Sequence, residues 1–234
     1  MFVMRCDFVS IFPEYFDVLD ISLIGKARRN GLLDLRVHNL REYSEAGRVD
    51  SSPYGGGPGM VMSAEPWARA IEHIATGESL VVFPSPSGQP YSHDLAQSLS
   101  SEMHIVFCCG RYEGIDNRIY EWTATRLRSS GISIGDYVLN GGEIAALVIL
   151  EGFVRFIPGV LGNPESLVEE SYQYNLLEYP VYTKPAVWRG LEVPDILLSG
   201  NHDLIREWRY KKQLEITQKT RPDLYSTHIY ETDS

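Results

Sequence analysis

Segments of strand character alternate with segments of helical period through the first two thirds of this chain, and a parallel sheet with helical crossovers is the arrangement that accommodates such alternation. MRCDFVSIF is strand-like; Pro13 then opens a helix running to about Gly25, with Phe16, Leu19, Leu23 and Ile24 at helical spacing, before the period-two stretch LLDLRVHNL. Between Ser44 and Gly59 the composition turns to Gly, Ser and Pro, the mark of a long surface loop. A helix from about Ala64 to Ile74, capped by Ser63, follows. The strand LVVF (Leu80 to Phe83) breaks at PSPSG, a helix starts near Ser92, and the strand HIVFCC (His104 to Cys109) breaks at GRYEGID. A long apolar helix begins near Glu143, directly after SIGDYVLNGG.

In open parallel sheets ligands bind where the C-terminal ends of strands meet their loops. Three loops qualify here: SPSG, GRYEG and SIGDYVLNGG. Glycines without a Cβ let backbone N–H and C=O groups approach a ligand closely, and the helix starting at Glu143 offers unpaired N–H donors. Such a cage suits a polar, adenosine-sized molecule. Two other readings fail on their motifs. YGGGPGM lacks the Gly-Lys-Ser/Thr ending that holds a nucleoside triphosphate and its magnesium. No GxGxxG with a downstream acidic residue closes a dinucleotide site, which excludes a Rossmann oxidoreductase.

A length of 234 residues suits one large domain or a domain of about 150 residues with a smaller one. Hydrophobic residues make up 44% and no apolar run approaches the roughly 18 residues of a membrane helix, so a chain without a membrane association is expected. The N-terminus carries Asp7 where a signal peptide needs an apolar stretch, so it reads as a first strand and the expectation is a cytoplasmic protein. Cys6, Cys108 and Cys109 sit in apolar runs without a CxxC pair, and the six histidines show no ligand spacing, so buried small hydrophobes and no structural metal are expected.

The net charge of −10 argues at first against a nucleic-acid partner, but its distribution qualifies that. Residues 60–182 hold 6 Lys/Arg against 15 Asp/Glu, whereas residues 183–222 hold 8 against 5. A polyanion needs only a local positive footprint. The basic residues Arg206, Arg209, Lys211, Lys212, Lys219 and Arg221 fall in LLSGNHDLIREWRYKKQLEITQKTRPDL, which reads as a helix capped by Ser199 or Asn201.

Taken in order, YGGGPGM, SPSG, GRYEGID, SIGDYVLNGGE, RFIPGVLG, LLEYPVYTKP and VPDILLSGNH resemble the bacterial tRNA (guanine-N(1)-)-methyltransferases over nearly the whole chain. The resemblance implies an α/β fold of the SPOUT class, with a deep trefoil knot at the C-terminal part of a parallel sheet, plus a small helical C-terminal domain. It sets a knotted methyltransferase domain at 1–160, a linker at 161–175 and a helical tRNA-binding domain at 176–234. It also implies a homodimer whose active site lies at the subunit interface and a C-terminal domain that grips the tRNA anticodon arm, with Arg209 among its contacts. S-adenosylmethionine is the implied donor, held by Phe83, Pro84, Ser85 and Pro86, by Gly110, Glu113 and Gly114, and by Ser133, Ile134, Gly135, Tyr137, Leu139, Gly141 and Gly142. The family further suggests a magnesium requirement, and no ligand pattern in the chain locates it.

Methylating a guanine ring nitrogen needs a base to remove its proton, a fixed donor for the charge moving to the carbonyl oxygen, and an in-line methyl. Arg155 matches the family arginine that stabilises the guanine; at a helix C-terminus it also suits the helix dipole. The family places an aspartate in the linker, and aligning Ser171 and Tyr172 in LVEESYQYNLLEYP puts Glu170 there, with Glu169 the rival and a solvated acidic pair the alternative. Asp50 matches the carboxylate that reads the guanine preceding the target, although the entry to YGGG here is Asp50-Ser51-Ser52-Pro53, without the family's arginine. Pro58 and Gly59 match positions beside the extruded target base. For Glu113 an ion pair with Arg111 or Arg118 competes with a place beside the cationic donor. The leading expectation is a methyltransferase acting on the guanine immediately 3′ of the anticodon; a catalytically lapsed tRNA-binding protein and a sibling enzyme acting on ribose are the alternatives.

Overall fold

The computed structural model describes residues 3–163, 167 and 170–232. The chain divides into two compact units, Met1–Gly162 and Asn163–Ser234.

In the first unit, β1 (Met4–Ser10), α1 (Ser22–Arg29), β2 (Leu33–Asn39), the short β3 (Asp50–Ser51) and β4 (Val61–Met62), and α2 (Ala64–Ile74) come first. They are followed by β5 (Leu80–Pro90), α3 (His93–Leu99), β6 (His104–Cys108), α4 (Asn117–Ala124), β7 (Arg128–Ser133) and α5 (Glu143–Val154). Five strands form one sheet in the order β2-β1-β6-β5-β7, with every pairing parallel. Strand β6 lies at the centre, which is why HIVFC is an unbroken buried run rather than an alternating one.

Alternation along the strands supplies two cores. Cys6, Phe8, Ile105 and Phe107 face α1, α3 and α5, while Val9, Val81, Val106 and Cys108 face α2 and α4. Trp67, Ala70, Ile71 and Ile74 form the buried stripe of α2 at the spacing an amphipathic helix requires. Ser63 occupies the cap position of α2 but its side chain makes no capping bond; its N–H donates to the Val49 carbonyl instead. The expected helix from Pro13 to Gly25 is two pieces, a 3₁₀ segment Pro13–Asp20 and then α1. Ile21 is extended between them and Ser22 has φ 54°, and the Asp20 carboxylate and carbonyl serve Arg28 and Arg29 of the second piece.

The expected break at PSPSG is an excursion from a longer strand. Pro84 and Gln89 both pair with Ile132, so residues 85–88 leave the ladder and the chain then rejoins it. Gly88 lies so close to the Gly131 backbone that a Cβ there would collide with it.

A buried carboxylate ties three strands together. Asp7 is fully buried on β1; it accepts from Arg5 Nε at 2.6 Å and lies 2.6 Å from His38 Nε2 on β2 and 2.7 Å from His104 Nε2 on β6. Burial alone pushes its pKa up, but the bonds from His104, His38 and Arg5 outweigh this and hold it well below the usual carboxylate range. A depressed folded-state pKa means that the stabilisation is complete above the unfolded value near 4 and is lost as pH falls from there toward the folded value. Asp7→Asn is therefore expected to cost on the order of 3 kcal/mol near neutral pH. It should also flatten the loss of stability below about pH 4. Urea titrations of both proteins between pH 3 and 7 check this.

Cys6, Cys108 and Cys109 are all buried and unpaired, and burial pushes all three thiols far above their ordinary pKa.

In the second unit, β8 (Val187–Trp188) and β9 (Leu191–Glu192) form a hairpin whose turn residues Arg189 and Gly190 both have positive φ. Helices α6 (Asp195–Leu198), α7 (His202–Thr220) and α8 (Pro222–Thr232) follow. Asn201 caps α7, accepting from the Leu204 N–H, while Ser199 ends α6. The expected single basic helix stops at Arg221, where Pro222 begins the next. Among the described residues no helix is long and apolar enough to cross a membrane.

Candidate active site

The excursion of β5 at Pro84 to Pro86 and the loops after β6 and β7 surround a cavity of about 360 Å³, within the range of small-molecule sites. Its wall comes from the three glycine-bearing loops. Of the fourteen expected donor contacts, all but Phe83 line it. The Phe83 side chain is in the core, its ring 4.5 Å from that of Tyr120.

Direct backbone contact brings the second and third loops together. The Gly142 N–H donates to the Gly110 carbonyl at 2.9 Å, and a Cβ on Gly142 would stand 3.0 Å from Cys109 Cα. Any side chain at that position would push the two loops apart. Gly142 is also the residue from which α5 starts, so the cavity meets the positive end of a helix.

The N-terminal residue of that helix carries a buried charge. Glu143 is fully buried; Ser10 Oγ donates to its Oε1 at 2.5 Å, and Arg111 Nε lies 3.1 and 3.0 Å from its two oxygens. The Arg111 guanidinium is held between the rings of Phe12 and Tyr15, with its carbon 4.8 Å from each centroid. Burial pushes the Arg111 pKa down, but bonds to Glu143 and Tyr15 outweigh it and the group sits above its ordinary value. The two arginines that competed as ion-pair partners for Glu113 are paired elsewhere: Arg111 with Glu143 at 3.0 Å and Arg118 with Asp116 at 2.6 Å. Sequence reading missed Arg111 as a cavity residue and Glu143 as its partner. The arginine lay in plain view within GRYEGID, but a partner 32 positions away leaves no local trace.

Glu113, exposed on the cavity wall, packs its carboxylate over Gly59, where a Cβ would collide with it. Backbone bonds stitch these two segments together: Glu113 N–H to Met60 carbonyl (3.0 Å), Met62 N–H to Gly114 carbonyl (2.9 Å) and Asp116 N–H to Met62 carbonyl (2.9 Å). The structure thus brings Gly59 against the GRYEG loop of the cavity wall. Asp50 pairs with Met62 in the β3–β4 ladder, which joins it to the same segment. Pro58 precedes Gly59 in the loop.

Arg155 ends α5, about 20 Å along the axis from Gly142 at 1.5 Å per residue, and it does not line the cavity. Glu170 belongs to the second unit, half-buried, with its carbonyl accepting from the Gln173 N–H at the start of a tight turn. In that turn Tyr172, Tyr174 and Asn175 all have positive φ. Glu169 lies outside the described residues. Arg209 lies on α7 with its guanidinium 4.7 Å over the Tyr179 ring, beside a hollow that Tyr182, Trp208 and Lys184 also line. Among the described residues no cluster of three or more His, Cys, Asp or Glu side chains is placed to hold a metal ion.

Residues 4–227 match the family described as tRNA (Guanine-1)-methyltransferase TrmD. The chain is 56% identical over 225 residues to a tRNA (guanine-N(1)-)-methyltransferase of Clavibacter sepedonicus, covering 94% of this chain and 99% of that one. It is 54% identical over 229 residues to the protein of that name from Pseudarthrobacter chlorophenolicus (94% and 85% covered), and 52% identical over 230 residues to that from Cutibacterium acnes (94% and 96%).

Proposed function

Because the chain belongs to the tRNA (guanine-1)-methyltransferase family, it is a methyltransferase, and we propose that it methylates ring nitrogen 1 of the guanine immediately 3′ of a tRNA anticodon, with S-adenosylmethionine as donor. The observation that carries this reading is the stitching of the 58–62 segment to the GRYEG loop, which sets Gly59 beside a cavity walled by strand-end loops. A donor site and an expected base-contacting loop then form one surface.

The cavity fits an adenosine-bearing donor in volume and in its glycine-lined walls. When bound, S-adenosylmethionine supplies a methyl group on a positively charged sulfur. The residues of the chain do the rest. Backbone groups of the three loops orient the nucleoside portion. Asp50 accepts from the Watson–Crick edge of the preceding guanine. Pro58 and Gly59 flank the extruded base, Glu170 removes its N1 proton, and Arg155 donates to the carbonyl oxygen on which charge develops.

We read the first unit as trefoil-knotted. In support, the chain leaves the edge strand β7 and returns past β5 to pack the Gly142 backbone against the end of β6. We read the active enzyme as a homodimer with a shared site. Ile144 and Val148, four residues apart on α5, are exposed at 45% and 43%, and Val18 and Ile21, between β1 and α1, are exposed as well. The length of α5 also separates Arg155 from its own cavity by more than an arginine side chain can span. The second unit is then the part that grips the anticodon arm, with Arg209, Lys211 and Lys212 on α7, and the enzyme works in the cytoplasm with tRNA.

Purified protein incubated with S-adenosylmethionine and an unmodified transcript bearing guanine at that position is expected to yield 1-methylguanosine there, identified by nuclease digestion and mass spectrometry. A methyl group found on ribose would overturn the assignment. Binding of both donor and transcript without transfer would favour a lapsed tRNA-binding protein.

A further inference from the structure

We infer that Glu143 is a specificity-determining residue that sets the cavity to accept a positively charged methyl donor, by neutralising the Arg111 guanidinium in its wall. The inference rests on the reading of the cavity as the S-adenosylmethionine site.

Two positive features border this cavity. Arg111 lines it and carries a permanent charge, and α5 presents its positive end at Gly142. A sulfonium entering beside both would be repelled. Glu143 removes that repulsion: its carboxylate is fully buried next to Arg111 Nε, at 3.0 and 3.1 Å, and stands in the first turn of α5. Ser10 Oγ supplies the further donor this buried carboxylate needs. The rings of Phe12 and Tyr15 keep the guanidinium from swinging away. Glu143 is not itself among the residues lining the cavity, so it acts through Arg111 and is not a catalytic residue. With its charge balanced, the cavity is left with the Glu113 carboxylate at its wall, a field that favours a cation.

The donor and its product differ in the charge on sulfur, so the ratio of their affinities reads this field directly. Removing the negative charge at Glu143 should penalise the sulfonium and spare the neutral thioether. For charges several ångströms apart in a protein-like dielectric the difference is on the order of tenfold.

Calorimetric titration of the full-length protein with S-adenosylmethionine and with S-adenosylhomocysteine, on wild type and variants of matched thermal stability, tests this. Glu143→Gln is expected to weaken S-adenosylmethionine about tenfold more than S-adenosylhomocysteine. Arg111→Gln is expected to move the ratio the opposite way, and Arg111→Gln combined with Glu143→Gln to restore it toward wild type. Loosened packing alone would weaken both ligands together and leave the ratio unmoved, which overturns the inference. If Glu143→Gln does not fold, Arg111→Gln decides: a ratio unchanged or shifted against S-adenosylmethionine overturns the inference as well. Wild-type protein that binds neither ligand would instead sink the donor reading on which it stands.

Discussion

Glu170→Gln is expected to lower the rate of methyl transfer by about 10²- to 10⁴-fold, the contribution of a positioned general base. Glutamine preserves the size of the side chain and removes its ability to take a proton, so KM for either substrate should change little while kcat falls. Glu170 opens a turn in which Tyr172, Tyr174 and Asn175 all adopt left-handed backbone. Glu170→Asp, which returns the shorter acid of the family pattern, should retain activity. Single-turnover kinetics on the transcript distinguish the two neighbouring acids, because Glu169→Gln is expected to be nearly silent. A crippled Glu169→Gln beside a competent Glu170→Gln would reverse the assignment.

Arg155→Ala is expected to cost about 10²- to 10³-fold in kcat, as the loss of a donor aimed at a developing oxyanion does elsewhere. Arg155→Lys should recover only part of this, since an ammonium cannot reproduce the planar fork of a guanidinium. Stability should move little, because the residue stands at the end of α5 rather than in its buried stripe. Steady-state kinetics with thermal melts separate the two effects. Equal loss of stability and activity would make Arg155 a structural cap.

The features legible in the sequence were those in which a local rule and the tertiary structure agree. Trp67, Ala70, Ile71 and Ile74 announce α2 because the core they fill has the same period as the helix they form. The three loops announced the cavity because glycine is needed where backbones touch, as Gly142 touches Cys109. Where a distant partner decides, the sequence was silent or misleading. Pro84, Pro86 and Gly88 carry every local signal of a strand ending, yet the ladder resumes at Gln89 because Gly88 nests on Gly131, 43 positions away. Asp7 looked like a residue that merely interrupts an apolar stretch, and its meaning lies with His38 and His104 on the two flanking strands. The pairing of Arg111 with Glu143 escaped for the same reason, and with it the electrostatics of the cavity.

The sealed positions of Cys6 and Cys108 on adjacent inner strands of the sheet, and of Cys109 just beyond, give the molecule a built-in clock. A thiol that is both enclosed and protonated is invisible to an alkylating reagent until the sheet parts. Iodoacetamide uptake would therefore time global opening of the first unit and report nothing about occupancy of the cavity, and mild oxidants should spare this enzyme while it stays folded.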